Sequence, residues 1–264
     1  NHKEVLLKCP TNFVSHANRL ADISRNIIRE EIYRPREVTV KSDETPVTPV
    51  DQKVERALRK AITEMFPEHG IVGEEYENVD SDSDYVWVLD PIDGTMAFIA
   101  GLPTFATLIA LTWRGAPILG VMDSPITEER WIGADGTSTT LNGATIHSRP
   151  CHSLDAAFAH TSSPLYFVSE RDIAAYDRIT KAVQFLIFGG GCHAFGRVAQ
   201  GYIDIAFETA HDIHDYLALV PIINNAGGRM SDWQGNPLTL SSGPRFLACG
   251  DQTVQHLALN ILNG

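Results

Sequence analysis

The feature that most narrows the fold is an apolar run that ends in acid. Tyr85-Val86-Trp87-Val88-Leu89 is short, β-branched and aromatic, and it leads straight into Asp90-Pro91-Ile92-Asp93-Gly94-Thr95. Such a run bounded by turn signals reads as a buried strand. Asp90 is then delivered at the strand's C-terminal end. Pro91 has no N–H to donate and is expected to stop the ladder. Gly94 permits a tight turn, and Thr95 can open a helix. Two carboxylates three residues apart on such a turn converge on one point outside the sheet. They repel unless protonated or bridged by cations. Hard oxygen ligands select Mg2+, Mn2+ or Ca2+. The free N–H groups at a helix start suit a phosphate. Alone, the segment also reads as an Asp-rich turn with a helix cap.

Three other segments set carboxylates in comparable places. Gly73-Glu74-Glu75 follows the apolar Ile71-Val72, again an acidic turn at a strand end. Thr48-Pro49-Val50-Asp51 puts Asp51 just inside a helix expected over residues 49–66, with Thr48 as cap. Asp215 is expected to open a helix over residues 216–226. Taken singly, these are a solvated turn, a first-turn charge and an N-cap.

The rest of the chain sorts into two textures. Residues 12–34 carry apolar side chains at a helical period, with Pro35 as the stop. Residues 105–113, 118–122 and 130–133 read as antiparallel strands joined by tight turns. Beyond about residue 150, strands at 156–160, 183–188, 203–207, 229–231 and 246–249 alternate with helices at 194–200, 216–226 and 252–262. We therefore divide the chain into an N-terminal α+β domain, residues 1–150, and a C-terminal α/β domain, residues 151–264, that completes the site.

The formal net charge is −12 over 264 residues, which opposes binding to nucleic acid or anionic membrane. No stretch approaches the roughly 18 apolar residues of a membrane span. The four cysteines are far apart and form no CxxC pair. They read as free thiols of a reducing, cytoplasmic compartment. The opening Asn1-His2-Lys3-Glu4 has no signal-peptide pattern and no initiator Met, which leaves a removed leader open. If a phosphate is the substrate of so acidic a chain, either cations reverse the charge locally or the substrate carries its own positive group.

Together, Thr48-Pro49-Val50-Asp51 with Glu55, Gly73-Glu74-Glu75, Asp90 to Thr95, and Asp215 with Pro221 to Gly228 resemble the inositol monophosphatase superfamily. The resemblance implies an α+β fold, a layered αβαβα sandwich, in a homodimer with the active site between the two halves of the chain. It implies two or three Mg2+ ions held by Glu74, Asp90, the Ile92 carbonyl, Asp93 and Asp215. Asp51 and Thr95, with Glu74, would form the catalytic set around the attacking water. The Gly94 and Thr95 amides would hold phosphate, and Gly191-Cys192 would belong to the substrate loop. The implied partner is a small soluble phosphate ester.

One departure bears on which ester. His214 precedes Asp215 where the family usually has Trp, and Tyr216, Leu217 and Ala218 follow. Residues 98–103, Glu129-Arg130-Trp131-Ile132-Gly133, Gly191 to Phe195 and Asp215 to Pro221 resemble the histidinol-phosphate phosphatase branch. That ester carries an ammonium group and an imidazole, and Glu208, at the end of the 203–207 strand, is suited to the ammonium. Inositol 1-phosphate is the alternative substrate, and a broad-specificity phosphatase or a retired enzyme acting as a binding protein is weaker. His211 and His214 beside Asp215 could join a zinc site, but no third nitrogen or sulfur ligand has matching spacing.

Overall fold

The computed structural model describes residues 8–32, 34, 37–40 and 46–264. Asn1 to Glu4 and the expected helix stop at Pro35 lie outside the described residues. Helix α1 (Thr11–Glu31) and helix α2 (Pro49–Met65) are amphipathic and pack on each other, with the short antiparallel pair β1 (Thr39–Val40) and β2 (Pro46–Val47) between them in sequence. Thr48 caps α2 in a reciprocal box with Asp51.

A seven-stranded sheet follows in sequence order: β3 (Gly70–Gly73), β4 (Tyr85–Asp93), β5 (Ala106–Trp113), β6 (Ala116–Ser124), β7 (Glu129–Ala134), β8 (Thr140–Leu141) and β9 (Ala144–Thr145). Only its first pair is parallel. The short helix α3 (Thr95–Ala100) joins β4 to β5. The five-stranded sheet has the order β11-β10-β12-β14-β13, built from β10 (Phe158–Thr161), β11 (Phe185–Phe188), β12 (Ile205–Glu208), β13 (Arg229–Asp232) and β14 (Phe246–Cys249). The helices of this half of the chain are α4 (Glu170–Ala182), α5 (Cys192–Ala199), α6 (Ile213–Tyr216), α7 (Leu219–Asn224) and α8 (Gln252–Asn263).

Strand alternation explains the layering. On β4, Trp87 and Leu89 join the core under α1 and α2, while Val86 and Val88 join the core that contains α5, α6 and α7. On β12, Ala206 faces that same middle core, while Ile205 and Phe207 face α4 and α8. The order is therefore helix pair, sheet, helices, sheet, helix pair: an αβαβα sandwich. The middle helices α6 and α7 come from beyond residue 150, yet they pack on β4 to β7 of the first sheet. The two halves of the chain thus share one core layer.

Three differences from the sequence reading have physical causes. First, β4 does not stop at Asp90 but runs to Asp93, because a register shift between Asp90 and Asp93 carries the ladder past Pro91. Second, the expected 216–226 helix is two short helices, α6 and α7, and Asp215 lies inside α6 with Asp212 as the cap. Pro221 cannot bond back to Leu217, so the helix breaks there. Third, α4 is an addition. It buries only Asp172, Ala175 and Ile179, too narrow a stripe to stand out as periodic.

Candidate active site

The bulge in β4 turns the chain so that Asp90 and Asp93 meet Asp215 of α6. One carboxylate oxygen from each lies within 4.8 Å of the others. Asp90 is buried and accepts from its own loop, Ile92 N to Oδ1 at 3.0 Å. Behind the bulge, Thr107 donates to the Pro91 carbonyl at 2.8 Å, and Ser24 of α1 bonds Thr107. Asp93 Oδ2 accepts from Cys192 N, 3.2 Å, at the start of α5. Gly191 and Cys192 therefore abut the acidic cluster, as a buried backing for Asp93.

Gly94 caps α3 with φ +85°, and a Cβ there would stand 3.0 Å from the Thr104 carbonyl. Only glycine makes this turn without strain. Thr95 Oγ1 donates to the Ile92 carbonyl at 3.1 Å. Glu74 follows β3 in a turn clamped from α2. Glu55 accepts from Glu75 N at 2.8 Å and is paired with Arg59 at 2.7 Å. A Cβ on Gly73 would lie 2.0 Å from Glu55 Oε1, so this clamp requires glycine. Glu55, part of the first acidic motif, thus holds the Glu74 turn.

Electrostatics tie these groups together. Burial raises Asp90 well above the usual carboxylate range, and the charges of Glu74, Asp93, Asp215 and Asp51 raise it further. Burial and then Asp215 push Asp93 up to about 6. Asp51 is also pushed up to about 6, chiefly by burial, against hydrogen bonds from Thr48. Both Thr48 N and Thr48 Oγ1 bond Asp51 Oδ2, at 2.9 and 2.5 Å. Asp51 Oδ1 is buried with no hydrogen-bond partner. Buried carboxylates that repel one another, with a free acceptor among them, form an all-oxygen donor set that fits a hard divalent cation.

Glu208 stands apart from that cluster, at the end of β12. It is buried and accepts from Ser162 N at 2.5 Å and Thr161 Oγ1 at 3.1 Å. Burial pushes it up to about 7, against His211 and its hydrogen bonds. His160 lies beneath, its Nε2 on the Gly189 carbonyl at 2.5 Å and its Nδ1 3.9 Å from Glu208 without a partner. His211 feels Asp215, Glu208 and Asp93 together, and they raise it despite burial. His160 and Tyr166 were missed in the sequence. His211 entered only through the zinc alternative, and the structure groups Asp215 with Asp90 and Asp93 instead.

Carboxylates from the end of β4 and from α6 meet near the start of α3 inside a layered sandwich, and the sequence match makes the class that of a phosphatase. The sequence model of the inositol monophosphatase family matches residues 10–262, and the chain belongs to that family. It is 40% identical to the bifunctional phosphatase IMPL2, chloroplastic, of Arabidopsis thaliana, over 95% of this chain and 75% of that one. It is 32% identical to the histidinol-phosphatase of Mycobacterium tuberculosis, over 75% of this chain and 78% of the other. The solved structure of an inositol monophosphatase from Zymomonas mobilis superposes with a TM-score of 0.88 at 38% identity, covering 96% of this chain and 98% of that one. Among the described residues no helix is long and apolar enough to cross a membrane.

Proposed function

We propose that the chain is a Mg2+-dependent phosphomonoesterase that hydrolyses histidinol phosphate to histidinol and inorganic phosphate. Family membership supports the hydrolysis. The observation that carries the substrate is Glu208, a buried carboxylate outside the oxygen cluster yet electrostatically linked to it through His211. A second anionic post beside a cation-binding cluster suits an ester with an ammonium group on its leaving group. A relative named histidinol-phosphatase supports the same choice.

Glu74, Asp90, the Ile92 carbonyl, Asp93 and Asp215 would hold the metal. When bound, Mg2+ supplies charge neutralisation at the phosphate and lowers the pKa of water. The chain's own residues do the rest. The Gly94 and Thr95 amides, free at the start of α3, receive phosphate oxygens. Asp51 Oδ1 is an unused acceptor, and the Thr95 hydroxyl, whose proton goes to Ile92, keeps its lone pairs. Both orient the attacking water. Its oxygen bonds to phosphorus as the ester P–O bond breaks, and the proton that the water gives up ends on the leaving oxygen, so one water is divided between phosphate and alcohol.

Purified protein with Mg2+ is expected to release phosphate from histidinol phosphate faster than from inositol 1-phosphate. The reverse ranking rejects the substrate and keeps the reaction class. Inositol 1-phosphate is the second reading, favoured by the likeness to the Zymomonas mobilis structure. The working form is a homodimer. The edge strand β11 exposes Phe185, Ile187 and Phe188, and the segment after β10 exposes Leu165 and Val168, an apolar surface that a second copy covers. Light scattering that gives a monomer mass at micromolar concentration rejects this. Four free buried cysteines suit a reducing compartment such as the cytoplasm.

A further inference from the structure

Tyr166 and His211 form an aromatic pair among residues that the hydrolysis does not use. Tyr166 closes the 3-10 turn Pro164–Tyr166 that follows β10, and 41% of it is exposed. Its ring meets that of His211 nearly at right angles, with centroids 5.2 Å apart and planes at 86°. His211 is held from behind. Its Nδ1 donates to the Thr209 carbonyl at 2.7 Å, and its ring stands against buried Phe246 at 5.7 Å and 86°.

The position of this pair relative to the acids is the informative part. Burial raises the Tyr166 hydroxyl above its ordinary range, and Glu208, Asp93 and Asp215 raise it further. His211 feels the same three carboxylates. In the chain His211 lies between Glu208, at the end of β12, and Asp212, whose N donates to Asp215 Oδ2 at 2.7 Å, while Tyr166 follows Ser162, whose N donates to Glu208 Oε1 at 2.5 Å. A leaving group that links a phosphate on the cluster to an ammonium on Glu208 would run along this stretch.

We propose that Tyr166 and His211 form an aromatic wall that receives a planar ring on the leaving group, so that the site selects ammonium-bearing phosphate esters with an imidazole-like ring over those without one. This rests on the substrate reading given above. A flat ring gains edge-to-face contact and shed water against such a wall, and a positively charged ring gains further from the tyrosine face. A polyol has hydroxyls to satisfy and gains little from either. Hydrolysis itself needs neither ring, so the wall acts on binding.

Three esters separate the contributions: histidinol phosphate, O-phosphoethanolamine (ammonium without ring) and inositol 1-phosphate. In Tyr166→Ala, the ratio of kcat/KM for histidinol phosphate over O-phosphoethanolamine is expected to fall about tenfold, the size of one lost aromatic contact with its buried area. The fall should reside in KM. Tyr166→Phe keeps the ring, and should keep the ratio within about twofold. An unchanged ratio in Tyr166→Ala, or a fall carried by kcat, overturns the wall. If the wild-type protein itself prefers inositol 1-phosphate, the substrate reading fails and the wall with it. If it prefers histidinol phosphate and the ratio does not move, the wall alone fails.

Discussion

The two ends of the site are built differently. Asp90 and Asp93 ride on β4, in the interior of the first sheet, with Trp87 and Leu89 packed on one face and Val86 and Val88 on the other. Glu208, Tyr166 and His211 sit at the ends of strands in the second sheet, next to the exposed edge strand β11. Their supports include loop groups: Ser162 N on Glu208 and the Thr209 carbonyl on His211. The first end meets atoms that every phosphate monoester shares, so it can be rigid and fixed in charge. On the proposed reading, the second meets the leaving group, which differs between esters. On that reading, reaction class falls to a strand inside the first sheet, and substrate choice to a strand end and the turns beside it.

The largest expected effect breaks the first end. Asp93→Asn should lower kcat/KM more than about 100-fold on every ester, beyond the range that loss of an outer-shell metal partner reaches. The fold should survive, because the change removes a repelling charge. Metal-free protein gives an independent view of that repulsion. Asp51 and Asp93 are held near 6, so between about pH 4 and about 6 the native carboxyls keep protons that the unfolded chain has released. Their contribution to stability is therefore present at low pH and lost as pH rises through that window. One group shifted by two units corresponds to about 3 kcal/mol. Calorimetry in EDTA should show the melting temperature falling over this range, and Mg2+ should remove the slope. A flat metal-free profile would mean the carboxylates do not repel as their placement implies.

The same contrast decides what could be read from the chain. The β4 run was legible because a strand buried on both faces leaves a continuous apolar signature, and the acids gained meaning only with the three other acidic segments. The layered order followed from alternation and resemblance. Asp215 was found, but its place in α6 was not, because Asp212 and Asp215 are equally good caps and only the geometry shows Asp212 N bonding Asp215 Oδ2 at 2.7 Å. Helix α4 was hidden by a narrow buried face, although Ser169 with Asp172 is an N-terminal signal. Tyr166 leaves no local pattern at all. A short 3-10 turn places it beside His211, distant in sequence, and no periodicity reports such a meeting.

A middle-sized effect should separate the two ends. Glu208→Gln removes one charge and keeps the shape. We expect a loss of roughly 10- to 100-fold with histidinol phosphate, the worth of a charge-assisted hydrogen bond, and under about threefold with inositol 1-phosphate. Glu208 ionises near 7, so the form that attracts an ammonium gains population as pH rises through about 7. KM for histidinol phosphate should therefore fall across that range in the wild type and stay level in the variant. Equal losses on both esters would remove the discriminating role from Glu208.

The smallest expected effect tests whether the first end is as rigid as its burial suggests. Thr107 links the Pro91 carbonyl to Ser24 of α1, well inside the core. Thr107→Val preserves volume but strands both partners, which should cost about 1–3 kcal/mol of stability. Activity should change less than about threefold, because Asp90 is also fixed by Ile92 N and Asp93 by Cys192 N. The Mg2+ concentration for half-maximal activity is the sensitive readout. If it rises tenfold while the melting temperature barely moves, the bulge depends on a single buried hydroxyl. The cation end would then be no stiffer than the leaving-group end.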